Sequence, residues 1–271
     1  SQSASIGSKI AAGSGMGSLS KPGAAAMERE AAAPRDDPAE AGNVEVHMQR
    51  VDLSDLPDFP VPDGFSLRRG PDPAAWVAVQ SAAEPFLTIA LDGDSEGCWS
   101  HEFEPGRGNL PPGESRATAL ANQFFLYDGE RAVGTATAWR TRWHTDYAGM
   151  MARGGFDVDA DGLVHWVAVV PEYQGRGLSK CLLSAVLRCF PAMGCRTATL
   201  GTGTARAMAI PLYLRSGFVP MVFSEAEAEA WRGLKARAAH ALADGEGLDE
   251  RARRSHDLVS KIEIGSGTTP P

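Results

Sequence analysis

The stretch of this 271-residue chain richest in possible chemistry is Val164-His-Trp-Val-Ala-Val-Val-Pro-Glu-Tyr-Gln-Gly-Arg-Gly-Leu-Ser179. A run of apolar, β-prone residues passes through Pro171 into two glycines and then an amphipathic segment, the pattern of a strand turning directly into a helix. Such a junction suits an anion. The first N–H groups of a helix lack intrahelical partners, the positive end of its dipole lies behind them, and glycine admits a ligand without a Cβ in the way. The same residues fit a tight turn that needs only backbone freedom, so the glycines alone leave both readings open. In the strand, a period of two puts Leu163, His165, Val167 and Val169 on one face. Trp166 then points to the other face and reads as core.

The elements that would hold this turn can be read on either side of it. Residues 65–69 alternate like a short strand, and Asp72 followed by Pro73 marks a helix start. Residues 92–115, rich in Gly, Pro and acids, read as a long surface loop, and 117–125 as helix running into strand. Two β-rich runs, 124–127 and 132–139, flank Asp128-Gly129, which predicts an antiparallel hairpin. After the turn, apolar Leu178, Leu182, Ala185, Val186 and Cys189 predict a helix over 177–190. A strand near 197–200 and a helix near 205–215 follow, and Ser224 with Glu227 forms a capping-box pattern ahead of a last amphipathic helix. The fold class is α/β, a mixed sheet flanked by helices.

The order of strand, P-E-Y-Q-G-R-G-L-S, amphipathic helix and short strand, followed by Ala209-Ile-Pro-Leu-Tyr-Leu-Arg-Ser-Gly-Phe218, resembles the GNAT superfamily of N-acetyltransferases. That family's signature joins Q/R-x-x-G-x-G/A to a distal L-Y-x-x-x-G-F, and both halves are present. The resemblance is strongest over 163–219 and extends more weakly over 50–223. It implies an acetyl-CoA-binding fold in which a β-bulge and the splaying of two central parallel strands open a slot for the pantetheine arm. By motif position it assigns phosphate contacts to Gln174, Gly175, Arg176, Gly177 and Ser179. Backbone contacts to pantetheine and thioester fall to Val167 and Val169. Ser179 stands where a final Gly or Ala is usual, and the Asn that many members place before L-Y is missing from 202–211.

The resemblance also implies direct transfer of acetyl from acetyl-CoA to an amine acceptor, a small molecule or a protein, with no acyl-enzyme cysteine. A free alkylamine has a pKa near ~10.4, so a base or water relay must take its proton near neutral pH. His165 matches the base position of the arylalkylamine-acetylating branch; a histidine satisfied inside the sheet is the competing reading. Leu163 occupies the place of the glutamate base of the histone-acetylating branch, so that base is absent. Tyr213, at the L-Y position, is the implied general acid toward the departing thiolate, with core packing as its alternative. The resemblance places Trp143, His144 and Tyr147 where an acceptor pocket is often built. It also puts Asp92, Asp94, Glu96, Glu102 and Glu104 at the acceptor entrance, where acids would favour cationic amines.

Composition bounds what else the chain can be. With 26 Lys and Arg against 34 Asp and Glu, net charge −8, it lacks the positive surface that nucleic-acid binding by bulk charge requires. No apolar run reaches the ~18 residues of a membrane-spanning helix, so no membrane partner is expected. Cys98, Cys181, Cys189 and Cys195 form no C-x-x-C pair, which argues for packed thiols, no metal site and a cytoplasmic compartment. Residues 1–47, rich in Ser, Gly and Ala, read as a disordered low-complexity tail. The first 27 residues hold two lysines and no acid, a faint likeness to an organellar transit peptide that lacks arginine. The expected division is this tail, an acetyltransferase domain over 48–245 that includes the C-terminal helix, and a flexible tail over 246–271. A homodimer is left open. The rival to an enzyme is a catalytically silent acyl-CoA-binding module that keeps the turn and lacks a working base.

Overall fold

Asp161 ties the centre of the sheet together. Its buried carboxylate accepts hydrogen bonds from the hydroxyls of Thr141 (2.5 Å), which follows one neighbouring strand, and of Thr197 (2.5 Å) and Thr199 (2.6 Å), which lie on the other. The computed structural model describes residues 43–84, 86–206, 208–244 and 248–265. Among these, β1 (Glu45–Arg50), β2 (Phe65–Arg69), β3 (Gln123–Asp128), β4 (Arg131–Arg140), β5 (Asp161–Val169), β6 (Thr197–Gly203) and β7 (Val219–Met221) form one sheet, ordered β2-β3-β4-β5-β6-β1-β7. Most neighbours are antiparallel, as the Asp128-Gly129 hairpin predicts for β3 and β4.

Only β5 and β6 run parallel, paired at Asp161↔Thr197, Gly162↔Ala198 and Leu163↔Thr199. Beyond Leu163 the two strands part, and the slot so opened faces the end of β5 where the glycine turn lies. On its other edge β5 pairs with β4, but the register slips: Thr137 faces His165 and Thr135 faces Ala168, so Trp166 and Val167 together oppose Ala136. Trp166 sits at φ 49°, the one non-glycine residue with positive φ among those described. This β-bulge breaks the alternation expected for β5.

Helices cover both faces. On one, α5 (Leu178–Ala192) buries Leu182, Val186 and Phe190 against β4, β5 and β6, and α7 (Glu225–Asp244) adds Trp231 and Leu234 to the same core. On the other, α1 (Pro73–Ala83), the short α2 (Trp99–Phe103) and α3 (Arg116–Leu120), and α4 (Thr145–Arg153) enclose an aromatic core of Trp76, Trp99, Phe103, Trp139 and Trp143. Between β6 and β7 lies α6 (Ile210–Arg215), which carries Tyr213. All four cysteines are buried free thiols.

Three expectations about the chain's organisation change. Residues 45–47, assigned to the tail, belong to β1, where His47 bonds Glu227 through both its backbone N–H (2.8 Å) and Nδ1 (2.9 Å); residues 1–42 lie outside the described ones. The tail expected over 246–271 contains α8 (Glu250–Ser260), capped by the Asp249 carboxylate on the Ala252 N–H, with Val259 and Ile262 buried in the core. Its arginine-rich sequence hides so few apolar positions that composition alone reads as tail. The 92–115 segment, expected as loop, holds α2.

Candidate active site

The glycine turn forms as the sequence suggests. Gly175 and Gly177 both adopt φ 81°, a left-handed conformation that L side chains resist, and Gly177 is the N-cap of α5. Backbone bonds of the turn end at the Gln174 N–H (to Pro171 O, 3.1 Å) and resume at the Lys180 N–H (to Gly177 O, 3.0 Å). The N–H groups between them precede the first intrahelical bonds of α5, and a Cβ built on Gly177 would meet nothing within 4 Å. This is an open row of donors at a helix start, the shape an anionic phosphate needs. The Gln174 side chain turns back to donate to the Val169 carbonyl at 2.9 Å, bracing the turn against the strand. The Arg176 guanidinium stacks over Tyr173 and donates to the Glu172 carbonyl at 3.1 Å, so its side chain is turned away from the donor row. From α8, Arg251 donates to the Gly175 carbonyl.

The bulge shapes the next part of the site. Trp166 does not point away from His165: both donate to one carboxylate oxygen of Glu102, His165 through Nε2 at 3.0 Å and Trp166 through Nε1 at 2.9 Å. Asn109 Nδ2 donates to the same oxygen at 2.8 Å, and His101 Nδ1 lies 3.3 Å from the other. Glu102 is fully buried. Burial pushes its carboxyl up, but the bonds from His101, His165 and Trp166 override that and hold it far below the usual carboxylate range. Gln80 of α1, also buried, donates to the Trp166 carbonyl at 3.0 Å and pins the bulge from the same side.

A cavity of about 860 Å³ joins these parts. The turn residues Gln174, Gly175, Gly177 and Ser179 line one end, Val167 and Val169 the middle, and His165 and Tyr213 the same space; Arg176 does not line it. Tyr213 is 7% exposed, and burial pushes its phenol up to about 12, so it stays protonated at neutral pH. Its hydroxyl bonds to none of the described residues, while its ring meets Phe218 edge-on at 6.1 Å.

The far end of the cavity is lined by Glu45, Glu96, His144, Tyr147 and Trp166. Of the aromatic cluster after β4, His144 and Tyr147 therefore reach the cavity, whereas Trp143 is packed in the core. Burial, with the neighbouring His165 adding to it, pushes the His144 imidazole down to about 4, so it is neutral at physiological pH. The acid-rich loop plays a different part from the expected one. Arg107 holds Asp92 at 2.7 Å and Asp94 at 2.8 Å and also lies near Glu104, so these acids are paired with a cation from just outside the window, which offsets part of their charge; Glu102 is buried. Only Glu96 of the five lines the cavity. Sequence reasoning missed the roles of Glu102, Gln80 and Arg251, because each acts on a residue far along the chain.

A mixed sheet whose two parallel strands part beside a bulge, with a row of helix-start N–H groups at the mouth of the slot, frames this cavity. Residues 90–218, just under half of the chain, match the model of the acetyltransferase (GNAT) family. A mycothiol acetyltransferase of Arthrobacter sp. (strain FB24) is 30% identical over 183 residues, covering 64% of this chain and 49% of that protein. Another, from Pseudarthrobacter chlorophenolicus, is 31% identical over 175 residues, covering 61% and 46%. The chain thus spans about half the length of the curated relatives it matches. Among solved structures, a GCN5-related N-acetyltransferase from Sphaerobacter thermophilus aligns with a TM-score of 0.45 and 19% identity, over 67% of this chain and 50% of that one. No described helix is long and apolar enough to cross a membrane.

Proposed function

We propose that this protein transfers an acetyl group from acetyl-CoA directly to a primary amine. The observation that carries the reading is that one cavity holds both the open N–H row of the glycine turn and the pair His165 and Tyr213. The cosubstrate supplies a thioester whose carbonyl carbon is open to a nitrogen nucleophile. Gly175, Gly177 and Ser179, with the backbone of Gln174 and Arg176, bind its phosphates through N–H groups. The Val169 backbone holds the pantetheine arm, and the Val167 N–H, within the bulge, stabilises charge developing on the thioester oxygen. His165 takes the proton the amine loses as the C–N bond forms, and Tyr213 gives its hydroxyl proton to the sulfur as the C–S bond breaks.

Two features support an amine carrying positive charge elsewhere: Glu96 at the acceptor end, and Glu45, whose carboxyl is held low by its hydrogen bond with His47. The curated relatives are named mycothiol acetyltransferases, which supports testing a mycothiol-type amine before polyamines, amino sugars and arylalkylamines. Calorimetry with CoA, followed by thiol release from acetyl-CoA with that panel, tests the reading. CoA binding with turnover of one amine class is the expected result. CoA binding without turnover across the panel identifies a silent acyl-CoA-binding module, and failure to bind CoA overturns both.

A further inference from the structure

We propose that Glu102 is a positioning residue for the base: its buried carboxylate fixes the His165 ring so that Nδ1 is the nitrogen that accepts the amine proton. The inference rests on the reading of His165 as base. Glu102 lies 63 residues from His165 along the chain, in a helix of five residues, outside both the glycine-turn motif and the L-Y-x-x-x-G-F motif. Its partners settle its chemistry. The indole N–H of Trp166 and the amide N–H of Asn109 can only donate, so the shared oxygen is an acceptor, and the third atom on it, His165 Nε2, must carry a hydrogen too. In a neutral imidazole the lone pair then sits on Nδ1, which bonds to none of the described residues.

The surroundings suit a ring that gains a proton during turnover. Trp139 stacks on His165 with centroids 5.7 Å apart and planes 26° from parallel, and Phe103 meets it edge-on at 6.2 Å, so the ring cannot swing. When Nδ1 takes the proton, the imidazolium lies against an ionised carboxylate in a place where an unpaired charge would be costly. The titratable groups that face it are Glu102 and His101 from α2, Glu96 from the preceding loop, Glu45 from β1 and His144 beside α4. His144, 5.6 Å away between centroids, is neutral and does not repel the cation. The bulge at Trp166 has a second consequence here: by turning the indole to the His165 side, it adds a donor that keeps Glu102 ionised. Leu163, where another branch of the family carries its glutamate base, is packed into the aromatic core. This chain provides the acid from a different element and places it behind the histidine rather than in front of the amine.

The test uses the full chain with Glu102→Gln, which keeps size and hydrogen bonding but removes charge, alongside His165→Gln to assign the ring signals. Nitrogen-15 NMR of the imidazole should show the Nε2–H tautomer in the wild type. In Glu102→Gln the acid limb of kcat/KM for acetyl-CoA with the amine panel above should move to lower pH by roughly one unit or more, the size of effect that loss of an adjacent carboxylate produces, with CoA affinity unchanged. A purely structural Glu102 would leave that limb in place, and this outcome overturns the proposal, as does an Nδ1–H tautomer in the wild type. If Glu102→Gln does not fold, the wild-type tautomer still decides, and Glu102→Asp repeats the pH profile. Full activity in His165→Gln overturns the base reading itself; loss there together with an unmoved limb in Glu102→Gln overturns only the role of Glu102.

Discussion

Arg251 donates a hydrogen bond to the carbonyl of Gly175, so the last helix reaches back to the turn that opens α5. The carbonyl it holds belongs to a residue at φ 81°, and fixing that peptide fixes the direction of the N–H groups that follow it. Arg251 forms no ion pair with a described acid, and with Arg254 it lowers the basicity of Arg215, on which burial acts first. A guanidinium without an acidic partner beside the open N–H row of the turn favours an anion there.

Replacing Arg251 by alanine should therefore weaken CoA binding by about tenfold, the worth of one charge-assisted hydrogen bond at ~1.4 kcal/mol. Because the residue is exposed, the unfolding midpoint should move little. Calorimetry at two salt concentrations measures this, and the deficit should shrink at high salt. Equal affinity in wild type and variant would reduce α8 to a packing element.

His47 offers a pH-dependent contribution to stability. Burial alone would push its imidazole down, but Glu227 at 2.9 Å and Glu45 at 3.5 Å raise it from 6.5 to about 9. A group raised on folding stabilises fully below its unfolded value, and that contribution fades as pH climbs through the folded one. Glu227→Gln should then cost on the order of 2 kcal/mol at pH 6 and clearly less near pH 9.5, read from denaturant midpoints. The same carboxylate also accepts from the Phe223 N–H at 2.7 Å, so part of the loss should persist at every pH. A cost that grows with pH would contradict the charge state assigned to His47.

At Gly177 the natural probe of the phosphate turn, valine, is a poor one. The open space around a Cβ there would tolerate it, but φ 81° would not, and the strain of a β-branched residue in that region lowers stability with or without ligand. Alanine is the cleaner substitution. It should cost about 1 kcal/mol of stability and weaken CoA binding by a larger factor, since the new methyl stands where the phosphates approach. Unaltered CoA affinity in folded Gly177→Ala would remove the phosphate role from this turn.

How much of this could be read from the sequence follows from distance along the chain. The hairpin at Asp128-Gly129, the N-cap at Asp72 and the turn at Gly175 and Gly177 depend on neighbours within a few residues, and the structure forms each of them. The Ser224 and Glu227 pair was only half legible. Ser224 caps the Glu227 N–H at 3.2 Å, but the Glu227 carboxylate leaves the expected reciprocal bond for His47 and the Phe223 N–H, partners that no local pattern shows. The faces of β5 were misassigned after His165 because a bulge needs the partner strand to define it; nothing in His165-Trp166-Val167 itself reveals that Ala136 will face two residues. Glu102 reads as one more solvated acid in an acidic loop, since its four partners come from α2 itself, from the segment after it and from β5.

Tyr213 supplies the sharpest test of chemistry as opposed to binding. Its phenol, raised to about 12 by burial, is protonated throughout the range in which the protein can be assayed, so it is always ready to donate. A departing thiolate needs that proton most in the transition state, where charge gathers on sulfur, and little in the ground state. Tyr213→Phe keeps the ring that packs against Phe218 and removes a hydroxyl that bonds to none of the described residues. Stability and CoA affinity should therefore stay close to wild type, while kcat falls by roughly a hundredfold, the lower range for loss of a general acid. The pH profile adds a second reading. Because the folded phenol titrates so high, an alkaline limb below about pH 10 would belong to another group and should survive in the variant. Single-turnover kinetics establish that chemistry limits the rate, and an unchanged rate under those conditions would leave Tyr213 as a core residue with no part in proton transfer.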